Sequence, residues 1–273
     1  MSYLTKSILF WVFSVIFTLS IAIYQRTTGP TYPVRGSVEL GAENVRYRLI
    51  RTHVTNQDAR VAIEVPAGIG GEFTYRRYKS FDAWHTLPMA HEGQELAAYL
   101  PQQPAAGKIE YSVTLISDQG RIQLTDEPVV LRYKGHVPDY VLIPHIILMF
   151  MAMLFSTRAG IEGITRGKHT FTYTAATLFL LLPGGMILGP IVQKYAFDAY
   201  WTGWPIGTDL TDNKTAVAFI AWIIAFVKLR KDRTKTTWAW VAALILLAVY
   251  LIPHSMMGSE IDHTKVEGAI PVE

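Results

Sequence analysis

The chain has 273 residues, of which 50% are hydrophobic and only 17% are charged, and its formal net charge is +3. A soluble globular protein has about 25% charged residues, so the deficit indicates that part of this chain faces lipid. Cysteine is absent from the sequence, which excludes disulfides, thiolate nucleophiles, iron–sulfur clusters and thiolate zinc sites. A domain outside the bilayer must therefore be held together by its own hydrophobic core.

Apolar segments occur in two places, one near the start of the chain and four after residue 137. They are Ser7–Tyr24, Pro138–Thr157, Phe171–Val192, Thr215–Leu229 and Trp238–Pro253. A hydrocarbon core of about 30 Å needs roughly 20 residues of helix, so each segment predicts a membrane-spanning helix. The first segment lacks a small-residue cleavage site beyond its apolar run and predicts a retained anchor, with a cleaved signal peptide as the alternative.

Basic residues predict the orientation. Arg158, Arg166 and Lys168 form one cluster, and residues 228–235 carry another. The positive-inside rule assigns both to the cytoplasm. A bacterial-type inner membrane is therefore predicted, with the N-terminus in the cytoplasm and residues 25–137 and the C-terminus in the periplasm. Since the basic charge reports topology, no nucleic-acid partner is expected.

Four parts follow from these signals. Residues 1–26 are predicted as a transmembrane anchor, 27–137 as an extracytoplasmic β-sandwich, 138–254 as a four-helix transmembrane domain with an aromatic outer loop at 193–214, and 255–273 as an extracytoplasmic tail. The predicted fold class is thus a five-span α-helical membrane protein with an all-β antiparallel sandwich inserted between helix 1 and helix 2. The tail has metal-ligating types at Glu260, Asp262 and His263, but a polar terminus is more typical of solvated chain.

Strands are predicted across residues 33–135, where apolar and polar side chains alternate. Ile109, Tyr111, Val113 and Leu115, for example, alternate with polar residues. A period of two places one face of a strand on a core and the other in water. About seven to nine short strands separated by turn residues predict an antiparallel sandwich.

Several residues within 73–122 carry a resemblance to a known module: Trp84, Tyr99, Pro101, Gly107, Tyr111 and Gly120. At these positions the sequence resembles a fibronectin-III or immunoglobulin-like module. The resemblance implies a sandwich that binds or spaces a partner, although one fold hosts many functions. Within the same stretch, Tyr75, Arg76, Arg77 and Tyr78 are candidate contacts for an anionic partner or lipid headgroups. The alternative is a solvated strand face.

The third and fourth apolar segments and the loop between them contain unusual features. Pro183-Gly184-Gly185 lies at mid-depth and predicts a kink or, alternatively, a break that lines a ligand site. In the following loop, Trp201 and Trp204 are typical of an interfacial aromatic belt. Asp209, Asp212 and Asn213 are expected to cap the next helix, with a cation site as the alternative.

Two histidines follow the same tripeptide. His145 and His254 each come directly after Leu-Ile-Pro. Ionisable residues in spans are functional candidates, and neutral imidazole is a good haem or metal ligand. A quinol or proton-transfer role and simple interfacial hydrogen bonding are the alternatives.

The tryptophan-containing loop lies between these histidines. With Trp201, Trp204 and Asp209 between His145 and His254, the chain is similar by residue type to the haem-handling cytochrome c assembly proteins. The resemblance implies haem held by the two histidines beneath the loop. The residue spacing differs from the usual pattern, and its terminal glutamate is missing.

Catalytic motifs such as a P-loop, a nucleophile elbow or HExxH are absent from the sequence. The predicted function is therefore a non-enzymatic binding or scaffolding protein of the inner membrane, with other membrane or periplasmic subunits as partners. The alternative is a haem-binding redox or assembly subunit that uses His145, His254 and the Trp201–Asp209 loop. A transporter is a weaker third hypothesis, because the sequence shows no internal repeat.

Overall fold

A computed structural model describes residues 2–41, 43–253 and 260–267. The chain divides into two compact units. The helical unit consists of Met1–Pro30 and Val137–Gly258, and the β unit of Thr31–His136 and Ser259–Glu273.

The described residues of the helical unit form six α-helices and one π-helical segment. They are α1 (Tyr3–Thr28), α2 (Asp139–Ile164), α3 (Thr170–Leu181), the π-helical segment (Leu182–Leu188), α4 (Gly189–Phe197), α5 (Leu210–Lys231) and α6 (Thr237–Leu251). The run from α3 to α4 is continuous, so Thr170–Phe197 counts as one helix of 28 residues. A short helix, α7 (His263–Glu267), belongs to the β unit.

Four helices of the described chain are long and apolar enough to cross a membrane: Tyr3–Thr28, Asp139–Ile164, Thr170–Phe197 and Leu210–Lys231. The prediction of five transmembrane helices was wrong. Helix α6 has only 15 residues, fewer than the roughly 20 that a span needs. It ends because Ile252 is extended (φ −81°, ψ 113°), the conformation favoured by a residue that precedes proline.

Small residues allow the helices of this unit to pack closely. A Cβ atom added at Gly160 would lie 2.8 Å from the Cβ of Ala243, and one at Gly163 would lie 2.8 Å from the carbonyl oxygen of Thr236. Trp222 is fully buried in the same core. Close backbone approach at small residues is how membrane helices gain packing energy.

The strands described in the β unit form three sheets. The strands are β1 (Val34–Leu40), β2 (Glu43–Leu49), β3 (Thr52–Val54), β4 (Ala59–Glu64), β5 (Gly70–Arg77), β6 (His85–Pro88), β7 (Ala90–Glu92), β8 (Glu95–Leu100), β9 (Lys108–Ser117), β10 (Gly120–Gln123) and β11 (Val129–Lys134). One sheet is β1-β2, the second is β3-β11-β9-β5-β6 with β10 paired to β9, and the third is β4-β8-β7.

The prediction of an all-antiparallel sandwich was wrong in its topology. There are three sheets instead of two, and β3 pairs with β11 in parallel, with Thr52 opposite Arg132. Trp84, a signature position of the immunoglobulin-like resemblance, is 41% exposed instead of lying in the core. A period of two tells which face of a strand is buried, but it does not tell which strands pair.

The alternation itself is confirmed. Ile109, Tyr111, Val113 and Leu115 of β9 are fully buried, and they share one core with residues such as Phe73. The hydroxyl of Tyr111 donates to the carbonyl oxygen of Ile50 at 2.8 Å. Burial of this side chain raises the pKa of its hydroxyl, because the charged phenolate would lose water.

Candidate functional site

His145 is tied to the π-helical segment. Its Nδ1 lies 2.9 Å from the carbonyl oxygen of Gly184. A carbonyl oxygen only accepts hydrogen bonds, so Nδ1 is the donor and, in the neutral ring, Nε2 carries the lone pair. The same carbonyl also accepts from the amide of Gly189. His254 lies outside the described residues, so a site that uses both histidines stays a prediction.

The Pro183 region is a π-helix and not a simple kink. Proline removes one amide donor, and the hydrogen-bonding pattern widens over Leu182–Leu188. Its glycines allow neighbouring helices to approach. A Cβ at Gly184 would lie 2.9 Å from the Cβ of Leu148, and one at Gly185 would lie 3.2 Å from Cγ2 of Thr215. The segment therefore joins α2 and α5 to the third long helix.

The acidic residues after the aromatic loop accept hydrogen bonds from backbone amides of the protein. Asp209 caps α5 by accepting from the amides of Thr211 at 2.7 Å and Asp212 at 3.4 Å, which confirms the capping prediction for this residue alone. Asp212 accepts from the amides of Thr202 at 2.6 Å and Gly203 at 3.0 Å. Within the described ranges, no three histidine or acidic side chains are grouped as metal ligands would be.

The two tryptophans form the tip of this loop. Nε1 of Trp201 donates to the carbonyl oxygen of Trp204 at 3.1 Å. The side chain of Trp204 is 78% exposed, as is that of Ile206. Asn213 accepts from the amide of Trp204 at 2.6 Å. The loop thus presents a fixed apolar tip, while Trp201 and Asp209 take part in its own hydrogen bonds.

A buried lysine beyond this loop was missed by sequence reasoning. Lys214 is only 5% exposed, and its Nζ donates to the carbonyl oxygen of Ile252 at 2.6 Å. That carbonyl directly follows α6, where helical carbonyls lack an internal partner. The lysine thus ties the start of α5 to the end of α6. In the sequence, Lys214 is simply a hydrophilic residue after an acidic helix cap, and nothing near it indicates this contact.

The predicted partner-binding residues Tyr75–Tyr78 are arranged along β5 and the turn after it. Nε of Arg76 lies 2.5 Å from Glu110, and its guanidinium lies 4.4 Å from the ring centre of Trp84. Arg77 makes two hydrogen bonds of 2.7 Å to Asp82. These bonds lower the pKa of the Asp82 carboxyl to about 2. Tyr75 packs against His85.

The C-terminal tail is docked on the β unit. The carboxylate of Glu260 accepts hydrogen bonds from Lys79 and Lys108, and the amide of Thr264 donates to the carbonyl oxygen of Lys79 at 3.2 Å. Nη1 of Arg77 lies 3.3 Å from Nδ1 of His263. The prediction of a solvated tail was therefore wrong for residues 260–267. We call Arg77, Tyr78, Lys79 and Lys108 the tail patch.

Charge and burial shape the tail patch. Burial lowers the pKa of Lys108, although its bond to Glu260 acts in the opposite direction. The more exposed Lys79 has its pKa raised by that same carboxylate. Burial alone would raise the pKa of Glu260, but the two lysines outweigh it and the pKa is lowered. Both ammonium groups lie within 6 Å of the centre of the Tyr78 ring, at 5.8 and 5.3 Å.

No known protein family, curated protein or solved structure matches this chain. The features of the molecule that bear on its function are the tail patch, the aromatic loop and the helical unit.

Proposed function

We propose that this chain is an integral membrane binding and scaffolding protein whose β unit docks an acidic segment of a partner protein at the tail patch. The observation that carries the proposal is the position of Glu260, whose carboxylate is held by Lys79 and Lys108 beside the ring of Tyr78. A carboxylate from another chain would make the same charge-assisted hydrogen bonds. The tail is then the occupant that the partner replaces.

The buried lysine gives the patch its preference for acids. The side chain of Lys108 is 11% exposed and that of Glu260 is 19% exposed. If the tail leaves, Lys108 loses its counterion, while the like charges of Lys79 and Arg132 stay nearby. Cations held close together without a counterion repel one another. An incoming aspartate or glutamate restores the pair, whereas a neutral or basic segment does not.

Tethering sets how strongly a partner must bind. The tail is covalently attached, so its local concentration at the patch is in the millimolar range typical of short tethers. A partner must exceed that competition by presenting more contacts than residues 260–264. Exposed Phe81, which is 74% exposed, and Trp84 lie in the chain segment between β5 and β6 and are available to such a partner.

The helical unit supplies the membrane anchor in this proposal. Its four long apolar helices support insertion in a bacterial-type cytoplasmic membrane. The basic residues at 166–168 and 228–235 favour the placement of both segments in the cytoplasm. Helix α6 starts beside the second segment and ends before Ile252, whose carbonyl oxygen is bonded to Lys214 at the opposite end of α5. The β unit and its docked tail would therefore both lie in the periplasm. Its apolar outer faces would pack against lipid or other membrane subunits.

Peptide binding to purified full-length protein tests this function. The probe is a fluorescent peptide that copies residues 258–267. The Glu260→Gln substitution weakens docking of the protein's own tail, so we expect this variant to bind the peptide about tenfold more tightly than wild type does, as suits one charge-assisted bond. Fluorescence anisotropy in mild detergent measures the change.

Matched charge reversals provide the control for this experiment. Lys79→Glu, added to Glu260→Gln, should abolish peptide binding. Arg121→Glu should not, because Arg121 is an exposed cation that pairs with Glu72 away from the patch. Equal loss in both double variants, or no binding to Glu260→Gln itself, would show that the patch does not select an acidic segment.

A haem-handling role is a second candidate, favoured by one observation. The hydrogen bond from Nδ1 of His145 to Gly184 fixes the ring and leaves the Nε2 lone pair for a ligand, as in many metal-ligating histidines. The absorption spectrum of the purified protein, reduced minus oxidised, tests it. A Soret band that is lost in His145→Ala and kept in His136→Ala would support haem; a featureless spectrum would exclude it for the purified protein.

A further inference from the structure

The helical unit contains a pocket at the N-terminal end of α1 and the C-terminal end of α2. Its volume is about 440 Å³, within the usual range of roughly 300 to 1,000 Å³ for small-ligand sites. The lining residues that matter here are Tyr3, Lys6, Ser7, Phe10, Arg158 and Glu162. Aromatic rings thus form one part of the wall, and charged and hydroxyl groups form the rest.

Arg158 is the central polar group of this pocket. Its side chain is 1% exposed and donates through Nη1 to Glu162 at 2.6 Å. The Nε atom is buried and has no hydrogen-bond partner within residues 2–41, 43–253 and 260–267. The guanidinium also lies over the rings of Phe10 at 5.4 Å and Tyr173 at 4.7 Å. A buried guanidinium donor without an acceptor is a group that an incoming anion would satisfy.

The acid in the pocket is already committed to protein groups. One oxygen of Glu162 accepts from Arg158, and the other accepts from the amide of His169 at 3.2 Å. Lys6 is exposed at the same pocket, and no carboxylate in the described part of the chain pairs with it. Lys168 adds a third cation at the rim, where its Nζ lies 5.0 Å from the ring centre of Tyr3. Lys6, Arg158 and Lys168 together with Glu162 therefore give the pocket and its rim an excess of two positive charges.

The position of the pocket along the helices suggests which anion reaches it. Helix α1 has 26 residues and is about 39 Å long at 1.5 Å per residue, which exceeds a hydrocarbon core of about 30 Å. Because the uncharged run of α1 begins only at Ser7, Tyr3 and Lys6 are expected at the level of the lipid headgroups, with Phe10 one turn deeper. Basic pockets between membrane helices at this level bind anionic headgroups.

We propose that this pocket binds the phosphate-bearing headgroup of an anionic membrane lipid. Lys6 and Arg158 contact the phosphate, the hydroxyl of Ser7 is placed to contribute a hydrogen bond, and the rings of Tyr3 and Phe10 pack against the glycerol and upper acyl carbons. This site lies entirely within the helical unit, so its test is independent of the tail patch.

Lipid binding to the full-length protein tests the site. Purified wild type in mild detergent is titrated with short-chain phosphatidylglycerol, with short-chain phosphatidylcholine and with inorganic phosphate, and its thermal unfolding midpoint is followed. We expect phosphatidylglycerol to raise the midpoint at concentrations at which phosphatidylcholine does not. Stabilisation by inorganic phosphate without a response to phosphatidylglycerol would overturn the assignment to a lipid, and equal responses to both lipids would overturn the preference for an anion.

Lys6→Gln is the diagnostic variant, because Lys6 is exposed and its replacement leaves the Arg158–Glu162 pair intact. We expect it to weaken phosphatidylglycerol binding about fivefold, as one surface cation does near anionic lipid. The matched control is Lys231→Gln, which removes an exposed lysine from the other basic segment and should leave binding unchanged. An equal effect of the two variants would show that the lipid responds to overall surface charge and not to this pocket, and it would overturn the proposal.

Discussion

One group of ion pairs from each unit of this protein shows two different ways of handling charge. In the β unit, Arg60 forms ion pairs with Glu92 at 2.8 Å and with Glu95 at 2.7 Å. The side chains of Arg60 and Glu92 are each 39% exposed, and that of Glu95 is 45% exposed. In the helical unit, Arg158 and Glu162 pair at 2.6 Å with exposures of 1 and 4%. Water competes for the first set, whereas the second set has few other partners. The same chemistry is therefore dispensable at Arg60 and required at Arg158.

Packing differs between the units for a related reason. The core of the β unit is filled by large side chains such as Phe73, Tyr111 and Tyr133, all fully buried. The helical unit brings backbones together at Gly160 and Gly163. Water drives large apolar side chains into a core, but lipid does not, so membrane helices associate through close van der Waals contact.

The largest effect is expected from breaking the buried ion pair. Arg158→Leu leaves Glu162 desolvated without its counterion, and we expect a loss of about 3–5 kcal/mol in the free energy of unfolding. Chemical denaturation in detergent measures it. Arg60→Gln removes the same charge from the exposed network of the β unit and should give no measurable change. Similar denaturation midpoints for the two variants would contradict the comparison.

A smaller effect is expected at the glycine contacts. Gly163→Ala places a methyl group 2.8 Å from the backbone oxygen of Thr236, and a backbone atom cannot move aside as a flexible side chain can. We expect a loss of about 1–3 kcal/mol, as in other overpacked cores. In the β unit, a Cβ at Gly70 would meet nothing nearer than 3.9 Å, so Gly70→Ala should stay within about 0.5 kcal/mol. Thermal unfolding of both variants measures whether Gly163→Ala is the more destabilising of the two, and equal midpoints would contradict this expectation.

The smallest effect concerns the docked tail and depends on pH. The pKa of Glu260 lies below its ordinary value of 4.5 when the tail is docked. The contribution of its carboxylate to docking is therefore complete above pH 4.5 and is lost as the pH falls through the lowered value. Hydrogen exchange of residues 260–267, corrected for intrinsic rates, should show loss of protection in that window.

Glu260→Gln is the control for the pH experiment. It should be less protected at neutral pH and should show no further acid-dependent loss from this position. Asp262 also has a lowered pKa, but through a hydrogen bond from Thr264 within the tail itself. Acid-dependent release that persists in Glu260→Gln would therefore assign the transition to Asp262 or to another group, and would contradict the role given to Glu260.

Sequence reasoning was most reliable where a local signal carried the information. The alternation at 109–115 predicted a strand with a buried face, and the cap at Asp209 was predicted from its place before an apolar run. Both depend on neighbours along the chain. The apolar segments likewise predicted helices, but α6 was overcounted as a span, because composition does not show where Ile252 leaves the helix.

The candidate sites were predicted less well, because they depend on partners distant in sequence. Tyr75–Tyr78 was identified as a basic and aromatic patch. Nothing local in the sequence indicated that Glu260 would accept hydrogen bonds from Lys79 and Lys108 beside it. Arg158 was interpreted as a topology signal and is instead a buried ion-pair member. The hydrogen bond from His145 to Gly184 joins residues 39 positions apart.

The sequence by itself determined the local elements of this protein: apolar helices, strands with one buried face, and the helix cap at Asp209. Each follows from periodicity or from side-chain chemistry within a few residues. Only the tertiary structure decided which strands pair, which helices meet at glycine, and which charges are buried together. Those outcomes are set by long-range packing and by the loss of water around particular groups, and neither can be read along the chain.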